Sequence, residues 1–115
     1  MLVNKLNRFF LYLLLAVFFL NCGGSFRKVT KLKDPYQKYL KAREYYDKED
    51  YFHALTLFEE LVPLVKGDSL DEKVYFYYTY SNYNMGDYAL AGYHFRNYVR
   101  SFPQSKHAEE CAFMS

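Results

Sequence analysis

Asp50-Tyr51-Phe52-His53-Ala54-Leu55-Thr56-Leu57-Phe58 and Asp87-Tyr88-Ala89-Leu90-Ala91-Gly92-Tyr93-His94-Phe95 share one grammar: Asp, Tyr, Ala and Phe recur in the same order thirty-seven residues apart. The match extends to Tyr46 with Tyr83 on one side and to Val62 with Val99 on the other. Self-similarity at a period between about twenty and fifty residues marks stacked supersecondary units, each unable to bury its apolar face alone.

Helical punctuation surrounds both stretches. Asp34-Pro35 opens the first helix, with Asp as N-cap and Pro at the first helical position, where its missing N–H costs nothing. That helix is expected to run to about Lys48. The second, from about Tyr51, lines up Ala54, Leu57, Phe58, Leu61, Val62 and Val65 on one stripe, with Pro63 near its end. Lys66-Gly67-Asp68 is a stop signal, and Ser69-Leu70-Asp71-Glu72 has capping-box spacing, with Ser69 as cap and Glu72 reaching back. Val74 to Tyr80 favours a strand by propensity, but its equivalence with the first helix requires a third helix through about Met85. Gly86-Asp87 turns the chain into a fourth, which carries Ala91, Phe95, Tyr98, Val99 and Phe102 inward and ends before Pro103. Gly92 inside it reads as a point of close helix approach, and Ser105 as the cap of a fifth helix. The expected fold is all-α: a solenoid of antiparallel helix pairs over 35–115, with repeats at about 35–68 and 69–105 and a partial third at 106–115.

The N-terminal part is of another kind. Lys5 and Arg8, with no acid before them, precede twelve unbroken apolar residues, Phe9 to Leu20, and then Asn21-Cys22-Gly23-Gly24. Twelve is short of the roughly twenty residues a membrane-spanning helix needs and fits a signal-peptide core. A cysteine at its end resembles the lipobox of bacterial lipoproteins, which implies a signal peptide at 1–21 and acylation of the Cys22 thiol; an ordinary secretory signal and an uncleaved anchor are the alternatives. Residues 22–34 then read as the lipidated Cys22 and a flexible basic tether carrying Arg27, Lys28, Lys31 and Lys33. Beside a lipid anchor, each cation would contribute about 1 kcal/mol against an anionic surface; a solvated linker is the alternative.

Composition narrows the function. The formal charge is +2, but from Cys22 onward thirteen basic residues meet thirteen acidic ones, so no net field draws nucleic acid. Two cysteines imply no disulfide framework. Walker, nucleophile-elbow, HExxH and dinucleotide fingerprints are missing from the sequence, so the reading is non-catalytic, with no cofactor beyond the covalent lipid and no metal. His107 and Cys111, four residues apart, read as a solvated imidazole and a buried thiol rather than as metal ligands.

Gly86, Asp87, Tyr88, Ala91, Phe95 and Pro103 resemble the tetratricopeptide (TPR) pattern, and Asp50, Tyr51, Ala54 and Phe58 keep it in the first repeat, where Glu49 replaces Gly. Lipobox, basic tether and immediate repeats together resemble the BamD family of outer-membrane assembly lipoproteins. Its phrasing is echoed by Glu44-Tyr45-Tyr46 and by Phe102-Pro103-Gln104-Ser105-Lys106, in the form of Bacteroidetes-type members. The resemblance implies a lipid-anchored scaffold on the periplasmic face of the outer membrane, assisting insertion of outer-membrane proteins. Its partners would be a BamA-like barrel subunit and nascent outer-membrane proteins. Such proteins carry about five repeats, so the chain is expected to be an N-terminal fragment. Another envelope TPR lipoprotein, serving organisation or division, and a glycan-binding lipoprotein are the alternatives.

On a helical wheel with Tyr36 at zero, Tyr39, Arg43 and Tyr46 fall at about 300°, 340° and 280°, one face of the first helix. Thirty-seven residues on, that face carries Lys73, Phe76, Tyr80 and Tyr83. In TPR arrays these positions line a concave groove, so the eight residues form the expected peptide-binding surface, the alternative being that they only pack against one another between adjacent helices. Mass spectrometry of the mature N-terminus should find a lipidated Cys22, and Cys22→Ala should release soluble protein; an unmodified Cys22 thiol in the membrane fraction excludes the anchor.

Overall fold

The computed structural model describes residues 2–115, apart from the side chains of residues 17–25. Its described residues form six helices: α1 (Leu2–Thr30), α2 (Pro35–Asp47), α3 (Tyr51–Leu64), α4 (Asp71–Asn84), α5 (Tyr88–Ser101) and α6 (Ala108–Met114). The chain divides into two compact units, Met1–Lys31 and Leu32–Ser115.

In the first unit the apolar run lies within α1, and Leu6, Phe9 and Tyr12 are exposed. Among the described residues no helix is long and apolar enough to cross a membrane. The helix continues through residues 23–30, where an irregular tether is expected from the sequence; non-helical backbone is confined to the few residues around Leu32. The Cys22 side chain lies outside the described residues.

The second unit is all-α, with consecutive helices packed in adjacent pairs, as in an α-solenoid. Its core holds Ala54, Leu57, Phe58 and Leu61 from α3, Val74 from α4, and Ala91, Phe95 and Tyr98 from α5, all fully buried. Val62, Val99 and Phe102, expected inside, are only half-buried. Each full burial of a Leu or Phe side chain contributes about 1.5–3 kcal/mol. Val74–Tyr80 is helical throughout, so tertiary burial overrides its strand propensity.

The sequence period reappears in the backbone. The starts of α3 and α5, the starts of α4 and α6, and the ends of α2 and α4 are each thirty-seven residues apart. Asp50 Oδ1 accepts the His53 N–H, and Asp87 Oδ1 accepts the Leu90 N–H, so each second helix opens on the same side-chain cap. Between the helices of a pair, Glu49 N–H donates to Tyr46 O and Asp50 N–H to Tyr45 O; Gly86 N–H donates to Tyr83 O and Asp87 N–H to Asn82 O. This is the Schellman arrangement, which requires a left-handed residue after the helix. Gly86 supplies it at φ 88°, and Glu49 is forced into it at φ 62°.

Three local expectations need correction. Ser69 and Glu72 form no capping box: α4 is capped by Leu70 without a side-chain bond, and Asp71 Oδ2 accepts the Gly67 N–H. Glu72 is held elsewhere, as described below. Ser105 does not sit at the N-cap of α6, which is His107, although its Oγ accepts the His107 N–H. Gly92 is no point of close approach, since a Cβ there would meet only the Arg96 guanidinium, at 3.8 Å. Nothing in the packing requires a glycine there.

A left-handed backbone costs an L-residue roughly 1–2 kcal/mol. Glu49→Gly should therefore stabilise the protein by about 1 kcal/mol, and Gly86→Ala should destabilise it by a similar amount. Thermal unfolding followed by circular dichroism should show opposite shifts, each on the order of 4–8 °C; shifts of the same sign would contradict the shared turn.

Candidate functional site

The first helices of the two pairs, α2 and α4, touch each other, and a cleft of about 520 Å³ opens between them and the loop that leads into α6. Tyr39 and Arg43 enter it from α2, Lys73, Phe76 and Tyr77 from α4, and Gln104 to His107 from the loop.

Arg43 organises one end. Its guanidinium carbon lies 4.0 Å from the centre of the Tyr77 ring, a cation–π contact. Nη1 donates to the Tyr39 hydroxyl at 3.3 Å, and Nη2 lies 3.6 Å from Asp47 Oδ1. Nε is buried and has no hydrogen-bond partner among the described residues. Beneath the guanidinium, Tyr77 stacks on Phe58 with centroids 5.9 Å apart and meets Tyr46 edge-on at 5.0 Å. Thus α2, α3 and α4 are joined by rings, and the cation sits on a rigid platform.

A polar cluster organises the other end. Tyr98 is fully buried, and its hydroxyl donates to Glu72 Oε1 at 3.0 Å. Ser105 Oγ donates to the same oxygen at 2.5 Å and lies 2.7 Å from the Tyr98 hydroxyl. The Ser105 hydrogen bond holds the Glu72 carboxyl below its ordinary range, against the opposing effect of burial, with Tyr98 and the nearby charges of His107 and Lys106 adding to it. Burial, and then the adjacent carboxylate, pushes the Tyr98 hydroxyl upward, so it remains a donor. The His107 ring stacks on Phe76 with centroids 4.2 Å apart, and its Nδ1 lies 3.4 Å from Glu110 Oε2.

Of the eight expected groove residues, Tyr39, Arg43, Lys73 and Phe76 line the cleft. Tyr36 is half-exposed and off its wall. Tyr46 packs on Tyr51 and Tyr77, and burial, followed by the charges of those neighbours, pushes its hydroxyl up to about 12. Tyr80 meets Phe95 edge-on at 5.0 Å and donates to Glu110 Oε1 at 2.5 Å. Tyr83 packs on Tyr88 and Phe95. These three tyrosines hold helices together. Ser69, Glu72, Tyr77, Tyr98 and the loop residues Gln104 to His107 are the cleft residues that sequence reasoning did not place there. Tyr77 falls only about 40° from the zero of the helical wheel, so a wider sector would have included it. The loop residues carry no helical period and give no such signal.

Among the described residues no group of three or more His, Cys, Asp or Glu side chains could hold a metal ion. Cys111 is buried, and burial pushes its thiol up to about 11, while His107 faces the cleft. No protein-family model, curated protein or solved structure matches the chain.

Because Glu72 titrates below its unfolded value, its contribution to stability is complete above pH 4.5 and is lost as the pH falls through the depressed value. Glu72→Gln should cost about 1 kcal/mol at neutral pH and flatten the acid limb of the stability curve. Chemical denaturation from pH 7 downward checks both; an unchanged acid limb would remove Glu72 from the account.

Proposed function

We propose that the chain is a TPR-like, non-catalytic scaffold that grips a peptide segment of a partner in the cleft between α2 and α4. One observation carries this reading: Arg43 is fixed over Tyr77 by partners on both sides, yet faces an open cleft of about 520 Å³ instead of solvent at large. Ordered cations and aromatic rings lose little side-chain entropy on binding, which is the property of residues that dominate protein interfaces. The remaining walls, Phe76 and Tyr39, are aromatic as well.

The biological setting of this proposal rests on the sequence. Lys5 and Arg8, the apolar run Phe9 to Leu20 and Cys22 support a lipoprotein signal, anchorage by acylated Cys22 and a place on the periplasmic face of the outer membrane. The resemblance of the repeats and of the Phe102-to-Lys106 stretch to the BamD family supports a role in the β-barrel assembly machinery, with a BamA-like barrel subunit and nascent outer-membrane proteins as partners.

Photo-cross-linking tests the reading in cells of the source organism. A photoreactive phenylalanine analogue at Gln104, exposed on the loop that lines the cleft, should capture the barrel subunit or an unfolded outer-membrane protein. The same analogue at Glu59, exposed on α3 and off the cleft, should capture neither. Capture from Glu59 alone would move the binding surface to the other helix layer, and co-purification without the barrel subunit would argue against the assembly role.

A further inference from the structure

Over Leu32–Ser115 ten basic residues meet thirteen acidic ones, so the repeat unit as a whole is anionic. The cleft has the opposite sign. Arg43, Lys73 and Lys106 stand on its wall together with His107, and Glu72 is the single acidic residue there. Glu72 Oε1 accepts from both Tyr98 and Ser105, while Arg43 Nη2 lies 3.6 Å from Asp47 Oδ1 and His107 Nδ1 lies 3.4 Å from Glu110 Oε2. Lys73 and Lys106 are exposed and enter none of the ion pairs within the unit. Three cations thus converge on one concavity of a negatively charged body, with Arg43 Nε buried and unpartnered beside them.

Resting on the scaffold reading, we propose that the cleft selects an acidic segment of its partner, one in which Asp or Glu side chains alternate with apolar ones. The carboxylates would meet Lys73 and Lys106, and the apolar side chains the rings of Phe76 and Tyr77. Local sign decides this choice. Charges separated by more than about 8–10 Å are screened at physiological ionic strength, so a short segment experiences the cations of the cleft and little of the rest. A long polyanion such as nucleic acid must also lie along the negative remainder of the unit, where repulsion opposes it. The aromatic walls favour a ligand with apolar side chains over a bare anion.

The test uses the full-length chain in nonionic detergent and a fluorescein-labelled peptide alternating Glu with Phe and Leu, acetylated and amidated so that only side-chain carboxylates are present. Two comparators carry Gln for Glu, one amidated and one with a free C-terminal carboxylate. The Glu peptide should bind on the order of tenfold more tightly than the amidated Gln peptide, with an affinity that falls as salt rises. The double variant Lys73→Glu, Lys106→Glu should lose about tenfold or more for the Glu peptide, with its helical circular dichroism unchanged. Lys48→Glu with Lys66→Glu, exposed but off the cleft, should not. Equal binding of the Glu and amidated Gln peptides overturns the acidic preference and leaves the scaffold reading standing. Binding of the free-carboxylate Gln peptide alone overturns it in favour of a chain terminus. Displacement of the Glu peptide by a short single-stranded oligonucleotide at equal concentration overturns it in favour of nucleic acid. Failure of all three peptides overturns it too, and the Gln104 cross-link then judges the scaffold reading by itself.

Discussion

A tyrosine with no exposed surface must still satisfy its hydroxyl, because an orphaned buried polar group costs on the order of 1–3 kcal/mol. Tyr98 meets that demand with Glu72 and Ser105, and in doing so ties α5 to the first turn of α4 and to the loop before α6. The ring packs against Tyr75, Phe76 and Phe102 in the core, while its hydroxyl backs the cleft wall through Glu72 and Ser105. The same residue therefore fixes the second repeat and builds one wall of the cleft. Glu72 keeps its charge because two hydroxyls donate to it, and their bonds hold the carboxylate at the Tyr98 end of the wall, where it forms no ion pair with Lys73 or Lys106.

The arrangement of helices was legible in the sequence because it depends on short-range chemistry. Asp50 and Asp87 cap by their own side chains, and the left-handed turn before each is fixed within six residues of backbone. The apolar stripe that begins in α3 has the helical period, and all its members except Val62 become buried: Ala54, Leu57, Phe58, Leu61 and Val65. Where local rules competed with longer-range bonds they failed. Ser69 and Glu72 have the spacing of a reciprocal cap, but the buried Tyr98 hydroxyl, twenty-six residues away, offers Glu72 a stronger bond than an exposed helix end does. Glu49 illustrates the converse: a glycine is preferred at that turn, yet the hydrogen bonds on either side of it hold glutamate to the same conformation.

The cleft was half legible. Tyr39, Arg43, Lys73 and Phe76 follow from helical phase, since a wheel states which residues share a face. A wheel does not state how deep a neighbouring helix sits. Tyr80 and Tyr83 share that face but lie further along α4, where α5 covers them with Phe95. The loop from Gln104 to His107 reaches the cleft through the stacking of His107 on Phe76 and through Ser105 on Glu72, contacts across thirty residues or more that no local pattern records.

Thirteen of the fourteen tyrosines, no tryptophan and ring centroids mostly 5 to 6.4 Å apart also make the repeat unit an optical object. Excitation absorbed at one phenol passes readily to another at such separations. Tyr80 and Tyr98, each bonded to a carboxylate, are sinks where emission is quenched. The free protein should thereby be dim, and without tryptophan it has no indole signal of its own. An indole carried into the cleft by a bound peptide would be the lowest-energy acceptor beside Tyr39 and Tyr77, so occupancy of the cleft can be read as tyrosine-sensitised emission with no label on the protein.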